Sequence, residues 1–141
     1  MCIFCDKIKE LEEKKSYCSN TSYWAVLEDI YPVNKGHLLI VPKRHIESIS
    51  KLTITEWTEL SLVLNHLKSV LCDEEMQQKL FGKIITEEDT YPDGFNIGIN
   101  EGEAAGQTIS HLHIHLIPRY FGDVEDPTGG VRGVIPDKQH Y

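Results

Sequence analysis

The segment that most constrains this chain alternates histidine with a large apolar residue. His111, His113 and His115 occupy every second position, and leucine or isoleucine fills the positions between them and after them up to residue 117. In a β-strand, residues i, i+2 and i+4 point to the same side of the sheet. The alternation therefore predicts a strand over residues 109–117, with three imidazoles on one face and its apolar residues in the core.

A loop of small residues directly precedes the histidines. Residues 102–108 read Gly-Glu-Ala-Ala-Gly-Gln-Thr, and a phosphate can approach the backbone N–H groups of such a loop closely. Histidine titrates near neutral pH and serves as a nucleophile, an acid or a metal ligand. A phosphate cradle beside a row of histidines indicates phosphoryl or nucleotidyl transfer. The alternative is that the histidines only cover the solvent face of an antiparallel sheet.

The remaining patterns predict an α+β domain with an antiparallel sheet. Apolar spacing predicts a short amphipathic helix over residues 3–14. A long helix that covers one face of the sheet is expected over residues 57–71, with a capping box at Thr53 or a neighbouring hydroxyl as its start. Strands are expected over three further segments, the first two as antiparallel neighbours: residues 23–27, 38–41 and 95–100.

Length and charge limit the classes of function. We expect one domain over residues 1–141, with a core at 1–120 and a C-terminal tail at 121–141. The net charge of −8 opposes general binding to nucleic acid, which depends on a basic surface. No apolar run is long enough for a membrane span, and the first residues do not form an export signal. We therefore expect a soluble, cytoplasmic protein.

The histidine segment resembles the signature of the histidine triad (HIT) family, His-φ-His-φ-His-φ-φ with φ apolar, at every position of residues 111–117. Further segments agree in family order, and together they cover about residues 2–72 and 94–120. They are Ile3-Phe4-Cys5, Leu27-Glu28-Asp29-Ile30, Gly36-His37-Leu38-Leu39-Ile40-Val41-Pro42-Lys43 with His45, Asn100-Glu101-Gly102 and Gly106-Gln107-Thr108. The resemblance implies an α+β HIT fold that pairs into a homodimer with one continuous sheet.

The resemblance also implies roles for single residues. His113 would attack the α-phosphate of a purine nucleotide and form a nucleotidyl-histidine intermediate, which water then releases. His115 would contact phosphate and assist the leaving group, and His37 would orient the site. Family branches that transfer nucleotides often carry glutamine at the position of His115, so histidine favours hydrolysis. The implied substrates are nucleoside phosphoramidates, acyl adenylates or dinucleoside polyphosphates, and the tail favours the last.

The implied nucleotide contacts fall in three groups. One group would bind phosphate oxygens, a second would bind the ribose, and a third would form an apolar slot for the base. The residues are Asn100, Gly106, Gln107, Thr108 and His115 for phosphate, Asp29 with its neighbour Ile30 for the ribose segment, and Phe4 and Leu27, with Ile3 and Ile8, for the base. Two departures from the family pattern, residues 11–22 and an insertion-like segment at 73–93, put the substrate in doubt.

Cys2 and Cys5 form a Cys-x-x-Cys pair, which is a weak signal by itself. One HIT branch begins with this pair and holds a structural zinc. The resemblance assigns the other two ligands to His45 and His111, which completes the Cys₂His₂ set that suits tetrahedral zinc.

Two other functions remain open from the sequence. The three histidines of the triad would instead be the ligands of a catalytic metal, or the chain would be a nucleotide sensor or scaffold with little turnover. In the tail, Arg132 stands among glycines and is either a ligand for phosphate or carboxylate or a plain surface residue.

Overall fold

Four antiparallel strands form one sheet in the computed structural model, which describes all 141 residues. The strands are β1 (Trp24–Glu28), β2 (Leu38–Pro42), β3 (Gly94–Ile99) and β4 (Ile114–Arg119), in the spatial order β1-β2-β4-β3. The helices are α1 (Ile3–Glu13), α2 (Ile54–Val70) and α3 (Glu74–Phe81). The α+β architecture expected from the sequence is confirmed. None of these helices has the length and apolarity that crossing a membrane requires.

The two faces of the sheet are covered differently. Helix α2 packs on one face, where Leu112, Ile114 and Leu116 are at most 2% exposed, as their alternation predicts. Helix α1 covers only the β1–β2 half of the other face, through Phe4 and Ile8. The histidines and the C-terminal tail occupy the remaining half of this second face. The catalytic residues expected from the sequence therefore lie in a trough between α1 and the tail.

The start of α2 is fixed to the segment that carries His45. Thr53 and Glu56 form the predicted capping box, in which each side chain accepts from the backbone N–H of the other residue. The Glu56 carboxylate also accepts from Arg44 at 2.8 Å. Burial raises the pKa of Glu56, but the hydrogen bonds from Arg44 and Thr53 outweigh it and hold the pKa below its usual value. The carboxylate thus ties α2 to the residue before His45.

The prediction of a strand from residue 109 is wrong in its first half, because β4 begins at Ile114. Its register pairs Ile114 with Ile40 and with Ile99, and both partner strands end soon afterwards. Pro42, two positions beyond Ile40 and the last residue of β2, has no N–H to donate. Residues 109–113 therefore leave the ladder, and the Leu112 N–H donates to the Ile46 carbonyl instead.

Helix α3 was not predicted, since residues 73–93 lack apolar periodicity. Asp73 caps its first turn by accepting from the Met76 N–H at 3.0 Å. The helix is held to the core by a buried polar residue, Gln77, whose side-chain carbonyl accepts from the N–H groups of Ile85 and Thr86. A polar residue in this structural role gives no hydrophobic signal in the sequence.

Candidate active site

His113 lies in the trough beside α1. The residue is 7% exposed, and its ring is 5.2 Å from the Phe4 ring, measured between centroids. Its Nδ1 is 2.8 Å from the carbonyl oxygen of His111. Because a carbonyl oxygen can only accept, Nδ1 carries the ring proton and donates it. The Nε2 lone pair of the neutral ring is then free, which is the form that a nucleophile requires.

His115 is oriented by His37 and Asp29. The backbone N–H of Val33 donates to His37 Nδ1 at 3.0 Å, so the proton of neutral His37 lies on Nε2. This Nε2 is 2.9 Å from His115 Nδ1, which must accept. Neutral His115 consequently carries its own proton on Nε2 and presents a donor to the site.

Burial of this pair favours neutral rings. Burial lowers the pKa of His37, although the Asp29 carboxylate 3.4 Å away acts in the opposite direction. Burial also lowers the pKa of His115, and the neighbouring His37 and His113 lower it further. One Asp29 oxygen lies 3.9 Å from His115 Nδ1, and the other accepts from the Tyr31 N–H. The carboxylate therefore neighbours both rings while its second oxygen is fixed by the backbone.

Cys2, Cys5, His45 and His111 converge at the start of α1, with one ligand atom from each within 4.8 Å of all the others. Cys2 Sγ is 3.4 Å from His111 Nδ1, and Cys5 Sγ is 3.3 Å from His45 Nδ1. Tetrahedral zinc with its usual bond lengths holds sulfur and nitrogen ligands about 3.5 Å apart. The four residues therefore fit zinc as they stand.

The environment of His111 supports the same fit. This fully buried ring has its Nε2 2.7 Å from the Pro42 carbonyl, so Nε2–H donates and Nδ1 offers its lone pair to the two sulfurs. Such a hydrogen bond from the distal nitrogen is the usual way in which a metal-binding histidine is oriented. His115 belongs to a different cluster, with Asp29 and His37, and His113 to neither. The geometry gives no support to one metal held by all three triad histidines.

The loop before the triad is braced from within. The side chain of Gln107 accepts from the Gly102 N–H and donates to the Glu47 carbonyl, and the Gly106 N–H donates to Glu103. The backbone N–H groups of both residues are used, and Gln107 keeps only its second amide hydrogen free, so their assignment to phosphate stays a prediction. The N–H groups of the following residues have no acceptor within the protein, and these are the loop donors that a phosphate would find: Thr108, Ile109 and Ser110.

The other predicted nucleotide contacts lie on both sides of the histidines. Asn100 shares a cleft with His37 and His115. Leu27 packs beside Phe4 against α1, whereas Ile30 is 79% exposed. The structure thus brings most of the predicted residues to one trough, with Ile30 on its outer surface.

The tail contributes residues that the sequence analysis did not assign. Val131 and Val134 line the cleft that contains His115 and Asn100, together with Asn96 of β3. Arg132 does not line it and stands 5.5 Å from the Tyr141 ring. The tail is rich in glycine and has no hydrophobic periodicity. The sequence therefore shows its apolar residues but does not predict where they pack.

A model of the HIT domain family matches residues 10–122. The chain belongs to the HIT family. It is 38% identical over 126 residues to an uncharacterized HIT-like protein of Methanocaldococcus jannaschii, which covers 89% of this chain and 84% of that protein.

Two HIT relatives are named as enzymes. The chain is 36% identical over 100 residues to a bis(5′-adenosyl)-triphosphatase of Dictyostelium discoideum, covering 71% of this chain and 57% of that one. It is 35% identical over 116 residues to an AP-4-A phosphorylase of Mycobacterium tuberculosis, covering 80% and 51%. The chain spans about half the length of these two relatives. Their names agree with the expected HIT-family nucleotidyl hydrolase or transferase.

A solved HIT structure is also similar. The crystal structure of a zinc-bound histidine triad family protein from Mycobacterium smegmatis superimposes with a TM-score of 0.63 at 25% identity, over 89% of this chain and 79% of that chain. Its zinc is a property of that protein, but the similarity is in keeping with the Cys₂His₂ cluster found in this one.

Proposed function

We propose that this chain hydrolyses a purine nucleotide at its α-phosphate through a nucleotidyl adduct on His113, with dinucleoside polyphosphates as the favoured substrates. The observation that carries the proposal is the pair of tautomers fixed by hydrogen bonds. His113 has a free Nε2 lone pair, and His115 has an Nε2–H donor beside it, with 5.5 Å between the ring centroids. A nucleophile and a hydrogen-bond donor for the leaving group are thus adjacent.

In the first step, His113 Nε2 attacks the α-phosphorus and forms a nitrogen–phosphorus bond. The bond from phosphorus to the leaving group breaks, and the leaving phosphate departs as an anion that accepts a hydrogen bond from His115 Nε2–H. In the second step, water attacks the same phosphorus and the bond to His113 breaks, while one proton of the water stays on the mononucleotide phosphate and the other passes to solvent. The mononucleotide leaves and both rings return to their starting states.

The nucleotide contacts of the site are assigned on the same basis. The free N–H groups of Thr108 and Ser110 would bind phosphate oxygens, together with the Asn100 side chain, which makes no hydrogen bond within the protein. The Asp29 carboxylate accepts from ribose hydroxyls, and Phe4 contributes to the apolar slot for the base.

The four residues Cys2, Cys5, His45 and His111 would hold zinc. With four protein ligands such a site is closed, so the metal would supply structural stability and no activated water. His111 is the residue through which this matters for catalysis, since its carbonyl oxygen holds the His113 ring. Fixing His111 to the start of α1 fixes the nucleophile.

We also propose a homodimer with a continuous sheet. The outer strands of the sheet are β1 and β3, and each has one edge without a strand partner. Such edges are the sites at which a second copy adds to a sheet. Light scattering on the purified protein should give twice the mass of the chain, and a monomer at assay concentration would oppose this part of the proposal.

The function is tested by a product assay on adenosine 5′-phosphoramidate, diadenosine triphosphate and ADP-glucose, with His113→Ala as the control. We expect adenosine monophosphate from the wild type and a fall of at least about 10³-fold in the variant. Equal activity of the two proteins would reject the role of His113. Tight binding of adenosine monophosphate without turnover would favour a sensor.

A further inference from the structure

A second cleft adjoins the catalytic histidines on the side away from α1. It has a volume of about 630 Å³ and lies between the C-terminal tail and the β3–β4 half of the sheet. His37, His115 and Asn100 form its inner end, next to the phosphate region. The side walls are mainly apolar and come from Val33, Val124, Val131 and Val134, with Ile117 on the floor. Its size is typical of sites for small organic ligands.

The cleft has no free charge to attract a phosphate. Arg119 is the one lysine, arginine or carboxylate residue in its lining, and its charge is already paired with the Asp123 carboxylate. Nε and one terminal nitrogen donate to Asp123 at 2.7 Å each, and the other terminal nitrogen donates to Asn96 at 2.6 Å. The remaining polar groups of the lining are amides and imidazoles. This combination suits an uncharged ring system that has apolar faces and polar edges.

The tail wall is built into the fold. Gly129 has φ +84°, and a Cβ there would lie 1.9 Å from the Gln139 carbonyl oxygen, so only glycine fits. The Gln139 side chain in turn donates to the Thr128 carbonyl at 3.4 Å. At the start of the tail, Asp123 accepts from Asn34 and from the Tyr120 N–H as well as from Arg119. The wall is held at both ends before any ligand arrives.

We propose that this cleft binds the nucleoside of the leaving group, so that the chain selects substrates with a nucleoside at each end. This inference rests on the proposed function. With the α-phosphate at His113, the leaving group is next to His115, and His115 opens into the cleft. The nucleoside that stays on the enzyme uses the slot beside Phe4, and the one that departs uses the wall of Val131 and Val134.

The test places a carboxylate on the cleft wall in a double variant, Val131→Glu with Val134→Glu. Both side chains are well exposed, 66% and 76%, so the fold should tolerate the change. The matched control is Ile135→Glu, which alters the same exposed tail but does not line the cleft. Each protein is assayed on diadenosine triphosphate and on adenosine 5′-phosphoramidate, whose ammonia leaving group cannot reach the cleft.

We expect kcat/KM for diadenosine triphosphate to fall at least about tenfold in the double variant, because an uncompensated carboxylate would face the leaving base. The value for the phosphoramidate should change less than about twofold, and Ile135→Glu should match the wild type on both substrates. An equal fall on both substrates, or no fall on either, would overturn the inference and leave the proposed function intact.

If neither substrate is turned over, the proposed function is rejected. Binding measurements then test whether the cleft holds the second nucleoside. Calorimetry on His113→Ala compares diadenosine triphosphate with adenosine monophosphate, with and without the two glutamates. If the cleft holds the second nucleoside, the dinucleotide should bind more tightly than adenosine monophosphate, and the two glutamates should remove this difference. Equal affinities for the two ligands, or an advantage that survives the glutamates, would overturn the inference.

Discussion

Helix α1 and the C-terminal tail lie on the same face of the sheet, one on each side of His113 and His115, and they are held there in different ways. Helix α1 is anchored by buried apolar contacts and by the Cys₂His₂ cluster. The tail is anchored by hydrogen bonds around Asp123 and Gln139, and its apolar residues stay exposed. The side next to His113, the proposed nucleophile, is thus fixed by burial, whereas the tail side is a surface segment that packs outside the core.

The largest effect should come from breaking the anchor of α1. Cys5→Ser removes one of the four proposed zinc ligands, and structural zinc commonly supplies about 10 kcal/mol or more of folding free energy. We expect the variant to lose bound zinc and more than about 5 kcal/mol of its free energy of unfolding. Metal analysis and urea denaturation measure both quantities. Cys72→Ser, an exposed cysteine outside the cluster, is the control, and equal zinc content in the two variants would refute the site.

A smaller loss is expected from the apolar part of the same anchor. Phe4→Ala leaves a cavity between α1 and the His113 ring and should lower the free energy of unfolding by about 3–5 kcal/mol. The neighbouring Ile3 is 53% exposed, so Ile3→Ala should cost less than about 1 kcal/mol. Similar losses in the two variants would show that Phe4 is not the residue that holds α1.

On the tail side, Asp123→Asn should cost about 1.5–3 kcal/mol, since a charged hydrogen-bond acceptor for Arg119 is lost. The hydrogen bonds from Arg119 and from the Tyr120 N–H hold the pKa of Asp123 well below its usual range. Its stabilisation is therefore present above the ordinary aspartate pKa of about 3.9 and declines as the pH falls below that value.

Denaturation of wild type and Asp123→Asn at pH 7 and pH 3 measures this contribution, and the difference between them should narrow at pH 3. Asp126→Asn, an exposed carboxylate in the same tail, should have little effect at either pH. A difference for Asp123→Asn that is the same at both pH values would contradict the ion pair as the cause.

The smallest effect concerns the histidine rings that lie between α1 and the C-terminal tail. Burial lowers the pKa of His37 below that of the unfolded chain, so the unfolded state binds more protons as the pH falls below about 6.5. The contribution of His37 to stability is therefore fully present above that pH and is lost toward pH 5. The loss is bounded by about 1.4 kcal/mol per pH unit for one group.

His37→Asn should flatten the decline of the unfolding free energy between pH 7 and pH 5, as followed by denaturation at several pH values. His66→Asn, on the exposed side of α2, should leave the decline unchanged. A slope for His37→Asn as steep as that of the wild type would mean that His37 does not titrate in this way.

The sequence predicted those parts of the fold that rest on local periodicity. The helix over residues 3–14 is observed as Ile3–Glu13, and the capping box at Thr53 does begin α2. The four strands were found because β-branched and apolar residues mark them, although β4 begins at Ile114. That boundary depends on where the partner strands end, and this information lies elsewhere in the chain.

The site was predictable as a set of residues but not as an arrangement. His37 and His115 are 78 positions apart, and only the folded chain shows that one orients the proton of the other. The same holds for the tail, whose 3₁₀ turns have no period that would place Val131 beside His115. Helix α3 was missed because its buried anchor, Gln77, is polar.

The central claim is that His113 carries the nucleotide during turnover. The most direct measurement mixes the wild type with diadenosine triphosphate, stops the reaction in alkali, where a phosphorus–nitrogen bond to histidine survives, and analyses the peptides by mass spectrometry. We expect an adenylyl group on the peptide that contains His113, located at that residue, and none with His113→Ala. Full turnover without an adduct at any stopping time, or an adduct on His115, would contradict the account.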